Sequence, residues 1–216
     1  MIGAQGRSPR KPRGRGAERR EEILDAAQNL FARQGVFGVS TREIAASLGL
    51  SQPALYTHFR NKEDILAELV ERAFSELGRR MIALPVAEVT GRAALLRMGR
   101  IYIDFGLEQP DAYRIAFMLE KRRSQAESLH PRILAAGRDI FEDFQSRVAQ
   151  LVSAGLTRPG EARLLTQSLW AGLHGLVSLL LARSQFSWDE TETLITRHLE
   201  LLADGVLAAE PLSPRR

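Results

Sequence analysis

Gln52, Pro53, Ala54, Tyr56 and Thr57 surround Leu55 in a short segment where Leu55 and Phe59 stand four residues apart. On a helix an i, i+4 pair shares one face, so the other five side chains point away from that apolar face. Their chemistry suits the edges of DNA bases in a major groove. The Gln52 amide carries the donor and acceptor pair that matches adenine, and the Ala54 methyl or the Pro53 ring can meet a thymine methyl. Chemistry of other kinds has little to work with. There is no cysteine, which excludes disulfides, thiolate zinc sites and a cysteine nucleophile. No Gly-rich phosphate loop, nucleophile elbow or HExxH occurs, and no helix carries paired histidines or carboxylates. His58, His130, His174 and His198 lack metal-ligand spacing. The expectation is no enzyme, no cofactor and no metal.

Local signals predict the elements that must hold those residues. Ile23, Leu24, Ala27, Leu30 and Phe31 fall on one face of a first helix, and Gly35 ends it. Ser40-Thr41-Arg42-Glu43 fits a capping box that opens a second helix, with Ile44, Ala45 and Leu48 inward and Gly49 at its close. Ser51 caps a third, with Pro53 in the first turn, where a missing N–H costs nothing. Asn61 caps a fourth, and Glu63 and Asp64 favour its dipole. Two short helices joined by a Gly-containing turn and flanked by helices sharing their core have the layout of a helix-turn-helix; an αα-corner in an ordinary bundle has it too.

Charge adds an independent pointer. Residues 1–20 hold Arg7, Arg10, Lys11, Arg13, Arg15, Arg19 and Arg20 against Glu18 alone, while the whole chain is only +4. The excess therefore sits at the start, where glycine and proline in residues 1–16 predict a flexible basic arm. Such an arm beside a near-neutral body suggests an anionic partner, or else a solubilising tail. No apolar stretch follows it as in a signal peptide. The longest nearly continuous apolar run, Leu176 to Ala182, is short of the ~20 residues a membrane span needs. A soluble cytoplasmic protein without a membrane partner is expected.

The segment from Ser40-Thr41-Arg42-Glu43-Ile44-Ala45 through Leu48-Gly49-Leu50 to Leu55-Tyr56-Thr57-His58-Phe59-Arg60-Asn61-Lys62-Glu63 closely resembles the tetracycline-repressor (TetR) family. The upstream Ala26 to Gly35 matches the same pattern, so roughly residues 20–75 carry the resemblance. It implies a DNA-binding helix-turn-helix in which Tyr56, His58 and Lys62 meet phosphates beside the base-reading Gln52, Pro53, Ala54 and Thr57. Thr41 and Arg42 open the second helix, whose N-terminal amides suit a phosphate. A second stretch, Leu169-Trp170-Ala171-Gly172-Leu173-His174-Gly175, looks like the W-x-x-x-H-G signature of one class of C-terminal domain in that family.

Everything predicted from Arg92 onward is helical, near 92–108, 110–121, 132–154, 160–183 and 188–208, with breaks at Pro85, Gly91, Pro110, Pro131, Gly155 and Pro159. Ala171, Gly175, Ser178 and Ala182 form a small-residue stripe that lets another helix approach closely. The resemblance implies that this helix and the last one pair with a second copy; packing within one subunit is the other reading. Tyr102, Phe105, Tyr113, Phe117, Phe141, Trp170 and His174 cluster at helical spacings and are the candidate walls of a ligand pocket, although aromatic stripes also build plain core. The expected architecture is all-α: a basic arm over 1–16, a three-helix helix-turn-helix domain over 17–62, and a helical bundle for dimerisation and ligand sensing over 63–210. The expected function is a homodimeric repressor on a palindromic double-stranded DNA operator, released by a small apolar or amphipathic effector. The alternative is a DNA-organising or constitutive regulator that answers to no effector.

Overall fold

The computed structural model describes residues 15–83, 91–118, 130–183 and 185–208. Among them the chain is all-α, with nine helices, one 3₁₀ turn and no strand beyond an isolated bridge between Thr157 and Leu207. The basic arm lies almost wholly outside these residues, as do the break at Pro85 and positions 119–121. The chain divides into two compact units, one ending at Leu66 and the other beginning at Ala67.

The first unit holds α1 (Arg15–Gln34), a 3₁₀ turn at Val36–Gly38, α2 (Thr41–Ser47) and α3 (Gln52–Tyr56). Ile23, Leu24, Ala27 and Phe31 of α1 are buried, as are Ile44 and Ala45 of α2 and Leu55 of α3, the burial their periodicity predicts; α1 packs on α2, and α2 on α3. Gly35 ends α1 at φ +72° and Gly49 makes the turn between α2 and α3 at φ +64°, backbone states that cost any side-chain-bearing residue. The capping box is complete. The Glu43 amide donates to Ser40 Oγ at 3.2 Å, and the Ser40 amide donates to the Glu43 carboxylate at 2.7 Å. Those Ser40 contacts hold the Glu43 carboxyl below its ordinary range. Ser51 Oγ accepts from the Ala54 amide, and Asn61 Oδ1 accepts from the Asp64 amide. Each predicted cap is thus in place.

α4 (Lys62–Ile82) begins in the first unit and continues into the second, which adds α5 (Arg92–Glu108), α6 (Pro110–Phe117), α7 (Pro131–Ser153), α8 (Ala162–Ala182) and α9 (Thr191–Val206). α5 is central and packs on α6, α8 and α9. Two glycines permit this. A Cβ at Gly99 would collide with Leu199 of α9, and one at Gly106 would lie 2.5 Å from Val177 of α8. Arg100 of α5 ties α9 through Glu192 at 2.5 Å, and Arg80 of α4 ties α5 through Glu108 at 2.7 Å. α8 is long and apolar enough, at a mean hydropathy of 1.4, to cross a membrane by length and composition alone. That exceeds what its longest unbroken apolar run suggests, because scattered Arg163, Gln167 and His174 interrupt the run without lowering the average much. Leu169, Leu173, Leu176 and Val177 account for part of this apolarity by packing inside the unit.

Candidate DNA-binding surface and ligand cavity

α3 presents the base-reading candidates together. Pro53, Tyr56 and Thr57 are exposed, Gln52 and Ala54 half-buried, and Leu55 and Phe59 fully buried behind them. Three of these side chains are already organised. Gln52 Nε2 donates to Thr41 Oγ1 at 3.1 Å and to the Tyr56 hydroxyl at 3.2 Å, and that hydroxyl lies 3.2 Å from Thr41 Oγ1. This triad links the start of α2 to α3 and limits the rotamers of Gln52 and Tyr56. A side chain held in place before binding loses less entropy when it binds. Arg42 is exposed beside Thr41. Thr57 is partly spent locally, since its hydroxyl donates to the Ala54 carbonyl at 2.7 Å.

Two side chains behave differently from expectation. Lys62, expected at a phosphate, is already engaged within the unit. Its Nζ donates to the carbonyls of Val36 and Val39, both at 2.9 Å, and so closes the 3₁₀ turn after α1. An ammonium on a long stem finds these carbonyls because the turn leaves them without helical partners. Arg20, which figures in the sequence only through the basic excess of residues 1–20, buttresses the end of α3. Its Nη1 donates to the His58 carbonyl at 2.6 Å, and its guanidinium lies 4.1 Å from the Phe59 ring centre. His58 itself is half-buried. Lys62→Ala is therefore expected to destabilise the first unit by about 1–3 kcal/mol, the range for hydrogen bonds to a charged group. Its dependence of DNA affinity on salt should stay that of the wild type. Urea unfolding and a salt titration of binding check this; a salt slope lower by about one restores Lys62 as a phosphate contact.

The second unit contains a cavity of about 530 Å³ that is open to solvent on one side. Its walls come from α4 (Phe74, Leu77, Met81), α5 (Met98, Tyr102), α6 (Ala116, Phe117), α7 (Ile133, Ile140, Phe141, Phe144) and α8 (Trp170, Leu173). Four of the seven pocket residues expected from sequence border it: Tyr102, Phe117, Phe141 and Trp170. Phe117 meets Phe74 edge-on at 5.1 Å and Tyr102 at 5.6 Å, and Phe141 meets Trp170 at 6.3 Å. Phe105, Tyr113 and His174 do not border it. Phe105 and Tyr113 are completely enclosed in the core, and His174 lies among the rings behind the wall. Helical spacing puts aromatic residues in one cluster, but it does not separate those facing a void from those facing each other. Phe74, in the α4 helix, and the polar Arg138, Asp143, Arg147, Arg163 and Gln167 were not expected.

Behind the cavity wall runs a polar chain. Trp170 Nε1 donates to the Tyr102 hydroxyl at 3.2 Å, which is 3.1 Å from the Tyr113 hydroxyl, itself 2.7 Å from His174 Nδ1. His174 Nε2 is 3.2 Å from Ser178 Oγ. Burial pushes the Tyr113 phenol up to about 12, raises Tyr102 further, and holds the His174 imidazole below its ordinary value. Both phenols are therefore protonated at neutral pH and the imidazole is neutral. A neutral imidazole donates from one ring nitrogen and accepts at the other, so His174 can link the Tyr113 and Ser178 hydroxyls. Each buried polar group thus has a partner, which low-polarity surroundings demand. Ser178 belongs to the expected small-residue stripe. Ala171 and Ala182 of that stripe are exposed, and nothing lies within 4 Å of where a Cβ at Gly175 would stand. Leu164 and Leu179 of α8 and Leu201 of α9 are exposed as well, at 61%, 48% and 58%.

Comparison with known proteins agrees with both halves of the chain. Residues 23–69 match the profile of the bacterial regulatory proteins of the tetR family, and residues 95–202 match that of the tetracyclin repressor-like C-terminal domain. The chain is 31% identical over 191 residues to the nucleoid occlusion factor SlmA of Pectobacterium carotovorum, covering 83% of this chain and 90% of that one. It is 29% identical over 168 residues to YobS of Bacillus subtilis, an uncharacterized HTH-type transcriptional regulator, covering 78% and 81%. A crystal structure of a tetR-family regulatory protein from Rhodococcus RHA1 superposes with a TM-score of 0.67 at 20% identity, covering 88% of this chain and 98% of that one. Profiles over both units and a relative matched nearly end to end place this chain in the tetR family, as a DNA-binding regulator of transcription that uses a helix-turn-helix.

Proposed function

We propose that the protein is a cytoplasmic repressor that binds a two-fold symmetric operator as a homodimer and leaves it when a small, largely apolar ligand fills the cavity of the second unit. The cavity is the observation that carries this reading. It is concave and its volume falls in the range of small-molecule sites, about 300–1,000 Å³ with apolar walls and few polar groups. Dimerisation is supported by the exposed strip on α8. Leu164, Ala171, Gly175, Leu179 and Ala182 share one side of that helix, and the apolar surface left there suits a second copy of the same helix. The same partner accounts for the high hydropathy of α8 without a bilayer.

Release needs a ligand that binds the DNA-incompetent state more tightly, because equal affinity for both states shifts nothing. α4 is the element through which it acts. Phe74, Leu77 and Met81 give its second half to the cavity wall, while its first turn belongs to the DNA-binding unit. A ligand that moves Phe74 against Phe117 moves a helix that starts six residues after Tyr56. A second reading, a DNA-organising factor that answers to no effector, draws support from the relative named as a nucleoid occlusion factor. Loss of operator binding on adding a panel of apolar ligands separates the two.

The reading also assigns base recognition to α3. Gln52→Ala is expected to relax preference at one base position of each half-site at a cost of about 1–3 kcal/mol. Affinity for unrelated DNA should be unchanged. Binding assays on single-base operator variants check this; an equal loss on all sequences assigns Gln52 to support of the Thr41–Tyr56 triad alone.

A further inference from the structure

The charged side chains around the cavity carry a consistent sign. Among the described residues four charged side chains line it, and three are arginines: Arg138, Arg147 and Arg163, against Asp143. Their partners rank them. Arg138 stands near two acids, Asp139 at 3.8 Å and Glu142 at 3.9 Å, and is largely in solvent. Arg147 spends its Nε–H on Asp143 at 3.2 Å, and its side chain is only 18% exposed. Its other guanidinium N–H groups make no hydrogen bond among the described residues. Arg163 has no ion-pair partner among the described residues. Arg147 lies near the end of α7 and Arg163 at the start of α8; these are consecutive packed helices joined by residues 154–161. Both cations therefore stand at the same end of one αα-hairpin. Gln167, one turn beyond Arg163, adds an amide at that end, while Phe141 and Trp170 lie farther along the two helices.

Taking the cavity as the effector site proposed above, we infer that its ligand is an apolar molecule ending in a carboxylate, with that end held by Arg163 and Arg147. A guanidinium offers a planar fork of donors that pairs two carboxylate oxygens at once, so a carboxylate gains more from this end than a neutral or cationic group does. The apolar body lies along the aromatic and aliphatic walls, where burial supplies most of the affinity. A positively charged amphipath would face two cations with a single acid already paired, and is selected against.

Calorimetric titration of the full-length protein with decanoate, decan-1-ol and decylamine tests this. Decanoate should bind about tenfold more tightly than decan-1-ol, and decylamine more weakly than either, as a charge-assisted hydrogen bond implies. Arg163→Gln should bring decanoate and decan-1-ol to within about threefold of each other. The pair Arg147→Gln with Asp143→Asn removes the second cation without stranding its acid, and should narrow the preference in the same way. Decan-1-ol binding without any preference for decanoate, or a preference that survives both sets of substitutions, overturns the inference and leaves the cavity reading intact. Failure of all three probes to bind the wild-type protein overturns both.

Discussion

Replacing Leu179 by glutamate is expected to leave a folded monomer whose affinity for the operator is lower by about 10²–10⁴-fold, the gain normally lost when two linked contacts become one. Leu179 sits on the exposed strip of α8 with nearly half its surface in solvent, so a charge there is tolerated within one chain. Across a two-fold axis the same charge meets its own copy and the apolar residues around it. Burying an unpaired carboxylate costs several kcal/mol, more than a single close-packed helix pair returns. In the proposed dimer the small Ala171 and Gly175 would let the partner helix approach closely and leave little room for water around the new charge. Light scattering reads the mass, circular dichroism the helix content, and gel shift the affinity. A Leu179→Glu protein that stays dimeric and binds normally places the interface elsewhere.

The second large effect is expected in the cavity wall. Trp170→Ala and Phe117→Ala should leave operator binding within a few-fold of wild type and abolish release by any apolar ligand that the wild-type protein answers to. Trp170 is partly exposed, and among the described residues its side chain hydrogen-bonds the Tyr102 hydroxyl, which retains Tyr113 as a partner when the indole is gone. Phe117 is more deeply engaged, with edge or tilted contacts to Phe74, Tyr102 and Tyr113. Its truncation costs about 3–5 kcal/mol if the site cannot collapse, so Phe117→Leu serves as the milder companion. Leucine keeps the apolar volume near Phe74 but removes the ring edge. If these variants fold and still release DNA at wild-type ligand concentrations, the cavity is not the sensor. If Phe117→Leu retains the wild-type melting temperature and loses release, packing loss does not explain the result.

How much of this was legible in the sequence depended on whether the determinant was local. The capping box at Ser40 and Glu43, the turn at Gly49 and the Pro53 start of α3 are each set by a few adjacent residues, and each forms as read. Helix α5 ends where Pro110 requires, and α1 ends at Gly35. The all-α fold and the tetR-family membership were legible for the same reason. Long-range geometry was not. Nothing in the local sequence marks Gly99 and Gly106, but α9 and α8 pack directly on them. Lys62 read as an outward cation because nothing local reveals that the Val36 and Val39 carbonyls lie within reach, separated by more than twenty residues of chain. Four of the seven pocket candidates border the cavity and three do not, on the same principle. Aromatic spacing located the cluster, while the choice of Phe117 and Trp170 for the wall and Phe105 and Tyr113 for the core depends on how five helices cross. The cationic lining was invisible, since Arg147 and Arg163 look like solvated surface charges until α7 and α8 fold together.

The most direct test of the central claim is selection of binding sites by the full-length protein from a pool of random DNA duplexes. If a dimer reads DNA through α3, the enriched sequences should converge on one two-fold symmetric site, its half-sites centred about 34–36 Å apart or somewhat more. The Gln52→Ala protein should lose its preference at one position in each half while keeping the symmetry. Convergence on an asymmetric single half-site, or no convergence at all, contradicts the account.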